Sequence, residues 1–312
     1  MKKIGLLFGV AALGLVASCS NNETTKDENT EPVSIICPEG TPSLGLANYY
    51  DSVEGAKFDI VNGSEQLIAA FGTKTHDIVV APVNLGAKFY NTNGNYVLAS
   101  TFVWGNLFLA SKSDFTKFED LDNKTLVVFG KNSTPDIITK LIIQEKNLNI
   151  TVEYVDAVAD ANALLVSGKA DYIVTAEPAI SKIKDAQGIK VLDLQDEYSK
   201  VTGKSSYPQA GIFIKKEDKE NKNVLKTVDA LINSVKDTVK NPEATAEKAV
   251  SMSASFEKLG SATLVKAIPN CHFAILDKND EMEAVNEYLQ NMIDLGFQAQ
   301  VGGKLPGEEF FL

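Results

Sequence analysis

The sequence predicts an α/β fold of two similar lobes, each a parallel-rich sheet flanked by helices, the lobes joined by two crossover strands. Three observations carry that expectation. Short β-rich apolar runs alternate with segments of helical spacing, the pattern of βαβ units. One such series occurs twice: VSIICPEGTPSLGLANYY (33–50) and LVVFGKNSTPDIITKLII (126–143) each run from an apolar strand through a glycine loop to Thr-Pro and a helical pattern. Finally, the roughly 280 residues beyond the N-terminal segment exceed what one small core usually holds.

Residues 1–18 read as a signal peptide. Lys2 and Lys3 precede an apolar stretch from Ile4 to Val16, which is followed by small residues. Val16-Ala17-Ser18-Cys19 resembles the bacterial lipobox, which implies a diacylated Cys19 as the mature N-terminus and a lipid anchor. SNNETTKDENTEP follows without a core-forming residue, so 19–32 reads as a disordered tether.

The first copy continues with KFDIV (57–61) as a second strand, then GSEQLIAAFGTKTHDIVVAP (63–82) as helix, turn and third strand. The second copy matches it with TVEYV (151–155) and DANALLVSGKADYIVTAEP (160–178). Pro42 precedes Asp77 by 35 positions and Pro135 precedes Asp171 by 36, a spacing that chance apolar runs seldom keep. YVLASTFVWGNLFLASK (96–112) reads as two strands hinged at Trp104-Gly105, and QAGIFIKK (209–216) as another. The chain is expected to leave the first lobe near 103–106 and return near 205–209. Lobe 1 is then 33–104 with 207–312, and lobe 2 is 105–206. Helical spacing over 217–240, 242–253, 260–268 and 277–296 predicts a helical tail packed on the first lobe.

Composition narrows the function. The net charge of −11 disfavours nucleic acid and anionic lipid headgroups. All 30 basic residues are lysine, so the bidentate arginine grip on an α-carboxylate is absent. His76 and His272 are the two histidines, too few for a metal-delivery site, and neither H-E-x-x-H nor G-x-S-x-G occurs. The sequence therefore predicts no cofactor, no metal and no catalysis. Cys37 and Cys271 are either bridged or two buried thiols.

FEDLDNKTLVVFGKNSTPD (118–136), ALLVSGKADYIVTAEPAI (163–180) and HDIVVAPVNLGAKF (76–89) resemble the type II periplasmic-binding-protein fold. Within it the chain is similar to the sulfonate, taurine, nitrate and thiamine-precursor receptors of ABC importers. That resemblance implies a lipid-anchored receptor on the outer face of the cytoplasmic membrane or in the periplasm. It would be a monomer that closes on a sulfonate, carboxylate or nitrogen heterocycle and serves a permease and an ATPase. An exported enzyme of the same fold acting on a small cofactor precursor, or a surface lipoprotein for adhesion or sensing, are the alternatives.

In open α/β sheets ligands bind beyond the carboxyl ends of the strands. Those ends supply the candidate ligand residues Gly40, Thr41, Pro42, Ser43, Asn62, Pro82, Asn84, Asn132, Ser133, Thr134 and Glu177. Thr41 and Thr134 are expected as N-caps with Pro42 and Pro135 at the first helical position, turning two helix N-termini toward an accepting or anionic group. Trp104 and Tyr207, at the crossings, either stack on the ligand or anchor the hinge. A water-accessible groove should separate 126–203 from the rest.

Overall fold

The structure, a computed structural model, describes residues 32–52, 57–184 and 188–312. The signal peptide, Cys19 and the tether as far as residue 31 lie outside the described residues.

β1 (Ile35–Pro38) opens the first copy, and its Ile35, Ile36 and Cys37 are all buried, as a central parallel strand requires. The chain turns at Gly40, whose φ of +110° is a glycine conformation, into α1 (Thr41–Gly45) and then α2 (Ala47–Ser52). β2 (Phe58–Val61), α3 (Glu65–Thr73) and β3 (Ile78–Pro82) follow. α4 (Val83–Asn93) starts directly at the end of β3, and β4 (Tyr96–Val103) leads to the hinge.

The second copy begins with β5 (Leu107–Ser111) and β6 (Thr125–Phe129). It continues through α5 (Thr134–Glu145), β7 (Thr151–Val155), α6 (Val158–Val166), β8 (Tyr172–Ala176) and α7 (Ala179–Lys184). β9 (Lys190–Asp193) ends at Asp193, which caps α8 (Leu194–Thr202) by accepting from the Gln195 amide at 2.8 Å. β10 (Ala210–Lys215) then returns the chain.

These strands form two five-stranded sheets, ordered β2-β1-β3-β10-β4 and β7-β6-β8-β5-β9. Both have the same pattern: two parallel pairings on one side and two antiparallel ones on the other. Each is therefore a mixed sheet, only half parallel. The reversal has a simple cause. β5 and β10 enter their sheets from the hinge, where the parallel strands end, so they must run the opposite way. The chain passes between sheets twice, through 104–106 and through α8 with the non-helical stretch 203–209, so the second crossing is partly helical.

The tail is helical. α9 (Lys222–Lys240) is capped by Asn221 and buries Val224, Val228, Leu231 and Val235 at three- and four-residue intervals. α10 (Pro242–Ala249), α11 (Ala254–Leu259), α12 (Ser261–Ala267) and α13 (Lys278–Asp294) follow. The tail does not pack on the first lobe alone. α12 touches α7, and Tyr288 of α13 stacks at 6.5 Å on Tyr207, which meets Tyr198 of α8 edge-on at 5.1 Å. One apolar cluster holds Ile36, Val79 and Phe213 together with Leu126, Val128 and Val174, and Val285 and Leu289 of α13 belong to it.

Candidate functional site

The carboxyl-end loops of the two sheets meet face to face. Gly40, not Thr41, is the N-cap of α1, so Thr41 is the first helical residue and Pro42 the second. The glycine turn starts the helix one residue early, which frees the Thr41 hydroxyl. That hydroxyl crosses to the other lobe and donates to the Glu177 carbonyl at 2.7 Å. Asn106, in the hinge, ties both together, its Nδ2 donating to Thr41 Oγ1 and, at 3.4 Å, to the same carbonyl. Its backbone amide donates to Gln209 Oε1 of the return crossing at 2.9 Å.

Glu177 follows β8 and its side chain is almost fully enclosed. Ser181 donates to the carboxylate from its hydroxyl at 2.9 Å and from its amide at 3.3 Å, and Asn270 Nδ2 stands at 3.5 Å. Loss of hydration outweighs these donors and pushes the Glu177 pKa up to about 7. The Cys271 thiol lies 3.8 Å from Thr41 Oγ1, and burial, with the Glu177 charge adding to it, raises its pKa well above the ordinary thiol range. Cys37 and Cys271 are both free and buried. Thiolate chemistry is thereby disfavoured at both.

His272 adopts a positive φ of 50° and reaches from the tail into the hinge. Its Nδ1 pairs with the Gly105 carbonyl, which only accepts, so the proton sits on Nδ1. Its Nε2 lies 3.6 Å from Asp193, whose carboxyl is raised by burial despite the Gln195 amide and the imidazole. Asn106, Asp193, Asn270 and His272 were not among the residues expected from sequence. The only sequence signal for Asn106, Asn270 and His272 was proximity to Trp104-Gly105 or to Cys271, and Asp193 had none.

The remaining expected residues divide. Trp104 is 4% exposed, its indole N–H donates to the Ala274 carbonyl at 3.0 Å, and its own carbonyl accepts from Gln195 and Ser206. Tyr207 is fully buried beneath Gly105, where a Cβ would stand 2.9 Å from its ring. Neither ring faces an open cleft; both are packed into the protein at the crossings. Ser43 is buried and donates to the Gly40 carbonyl at 3.1 Å. Pro82 caps α4, and Asn84 in its first turn is buried with Oδ1 unpartnered. Asn62 and Asn132 are exposed. Ser133, not Thr134, is the N-cap of α5, its hydroxyl turned back to the Gly130 carbonyl while Thr134 is buried as the first helical residue.

Neither helix start is poised for an anion. α1 spans five residues, so few peptide dipoles add along it. At α5 the chain's own Asp136 occupies the first turn, accepting from the Asn132 amide at 2.8 Å and pairing with Lys140 at 3.0 Å. A groove of about 430 Å³ does run between the lobes, but along α13. It is lined by Leu141, Gln144 and Val201 opposite Glu287, Gln290 and Asn291, and by none of the expected residues. At Thr41 and Glu177 the lobes touch directly.

Thr41→Val should weaken this contact by about 1–2 kcal/mol, since it leaves the buried Glu177 carbonyl and Asn106 Nδ2 with only their long 3.4 Å bond to each other. The expected readout is a larger radius of gyration in small-angle scattering. An unchanged scattering curve would show that the lobes are held elsewhere.

Two like sheets meeting across a short hinge define a two-lobed periplasmic-binding-protein fold, and solved structures agree. An ABC transporter structure from Parabacteroides distasonis superposes with a TM-score of 0.76 at 22% identity, covering 90% of this chain and 98% of that one. The periplasmic aliphatic sulphonate binding protein SsuA from Escherichia coli gives 0.67 at 16% identity, with 88% and 89% covered. The alkanesulfonate-binding protein SsuA from Xanthomonas axonopodis pv. citri, bound to MOPS, gives 0.66 at 13%, with 90% and 98% covered. No curated protein sequence matches the chain. The chain belongs to the Menaquinone biosynthesis family, whose model matches residues 53–296.

Proposed function

We propose that this protein is an extracytoplasmic solute receptor of an ABC importer, closing two lobes on a small molecule and presenting it unaltered to a permease and its ATPase. The observation that carries the reading is the contact between the lobes. Thr41 of one lobe bonds the Glu177 carbonyl of the other beside a hinge at Gly105, whose φ is +67°. Loops at strand ends supply the polar groups, and a ligand bound by both lobes favours the shut form through its differential affinity. Among the described residues no group of three or more His, Cys, Asp or Glu is placed to hold a metal, and no helix is long and apolar enough to cross a membrane. Attachment is assigned to a lipidated Cys19.

Two observations favour a second reading. The family's description and a buried Glu177 with its pKa near 7 fit an exported enzyme acting on a small cofactor precursor, with Glu177 as acid or base. Native mass spectrometry of freshly purified full-length chain separates the two. A receptor releases a bound molecule of unchanged mass on denaturation, whereas conversion of that molecule on prolonged incubation would refute the receptor reading. Cys19→Ser should move the protein from the membrane pellet to the supernatant. Continued sedimentation would refute the anchor.

A further inference from the structure

The groups that the lobes present to each other in contact are those a ligand meets when they part. At this contact they are unevenly matched. The donors are spent: the Thr41 hydroxyl on the Glu177 carbonyl, and Asn106 Nδ2 on Thr41 Oγ1 and the same carbonyl. Acceptors remain. Asn106 is 3% exposed and its Oδ1 has no partner. The Glu177 carboxylate accepts firmly only from the Ser181 hydroxyl at 2.9 Å, the Ser181 amide and Asn270 standing at 3.3 and 3.5 Å. A buried acceptor without a donor is costly, and a ligand's N–H would recover that cost.

Charge points the same way. The side chains that bond Thr41 and Glu177 here, Asn106, Ser181 and Asn270, are all neutral. The lysines of α7, Lys182 and Lys184, are exposed, and Lys182 donates to the Lys258 carbonyl. The start of α5 is already answered by Asp136, and the whole chain carries −11. A sulfonate or carboxylate brought here would meet the Glu177 carboxylate and the bare Asn106 Oδ1, with only neutral donors around them, an arrangement that low dielectric penalises heavily.

We propose that the cleft takes a ligand bearing N–H donors and positive charge, an ammonium, amidinium or guanidinium group, received by the Glu177 carboxylate and Asn106 Oδ1. This departs from the sulfonates named for two of the structural neighbours. It rests on the receptor reading.

The test uses full-length chain and three probes of one shape at equal concentration: benzamidine, benzoate and benzenesulfonate. Benzamidine should bind in calorimetry and raise the melting temperature, and Glu177→Gln should weaken it about tenfold to a hundredfold. Tighter binding of benzoate or benzenesulfonate, equal benzamidine affinity in Glu177→Gln, or no benzamidine binding overturns the proposal. If Glu177→Gln does not fold, the wild-type pH profile decides. Glu177 faces Thr41, Ser181, Asn270 and the Cys271 thiol, with Lys184 acting on it from the rim. Benzamidine affinity should rise from pH 5 to pH 8 as the buried carboxyl ionises around 7; a flat or falling profile overturns the assignment. Small-angle scattering keeps the two readings apart. Benzenesulfonate that binds and compacts the chain defeats the cation assignment and leaves the receptor reading standing.

Discussion

Glu177→Gln should be more stable than wild type at pH 8 and nearly equal to it at pH 4.5. In the folded chain Glu177 titrates near 7, against 4.5 for the free carboxyl, because burial disfavours its charge. Between those values the native state holds a proton that the unfolded chain has released, so wild-type stability falls as pH rises through the window. Below it both states are protonated and the difference vanishes. A shift of this size corresponds to a loss on the order of 3 kcal/mol, complete once pH exceeds the folded value. Glutamine keeps the shape and the acceptor for Ser181 without the charge, so its curve lacks this fall. Carboxylates held below their usual range, such as Asp77 beside Lys215, act in both proteins and cancel in the comparison. The measurement is urea unfolding of both proteins at pH 4.5, 6 and 8. A constant gap between them would mean that the carboxyl is not desolvated as the structure has it.

Gly86→Ala should cost about 3 kcal/mol, or prevent folding. A Cβ at Gly86 would stand 2.1 Å from two atoms of the Phe213 ring. That ring is fully buried and held between Phe71 at 5.6 Å and Phe310 at 6.1 Å, so it has no low-cost retreat. The double variant with Phe213→Leu should recover part of the loss, because the two sites share the clash. A single-variant cost under about 1 kcal/mol, measured by chemical denaturation, would show that α4 shifts off β10 more easily than this packing implies.

The same glycine explains a gap in what the sequence reveals. Strands β1, β2, β3, β6, β7 and β8 are readable because alternation and apolar runs record which faces are buried. α9 is readable for the corresponding reason, its Val224, Val228, Leu231 and Val235 repeating at helical spacing. α4 is not. Asn84, Gly86, Asn91 and Asn93 are poor helix formers, and the helix is held by its fit against Phe213, a residue more than a hundred positions away. β9 and α8 were equally hidden, being short elements whose order depends on β5 and on the cap at Asp193.

By itself the chain's sequence determined the duplication, the two sheets with their helices, the crossing between them beside Gly105 and the helical tail. Periodicity registers local conformation and the direction of burial, and both survive without knowledge of distant partners. Only the tertiary structure decided that Thr41 meets Glu177, that His272 reaches Gly105 and that Trp104 is fastened to Ala274. Those are single polar contacts between loops far apart in the chain. They depend on the angle at which two lobes close, and no repeating pattern of residues encodes that angle.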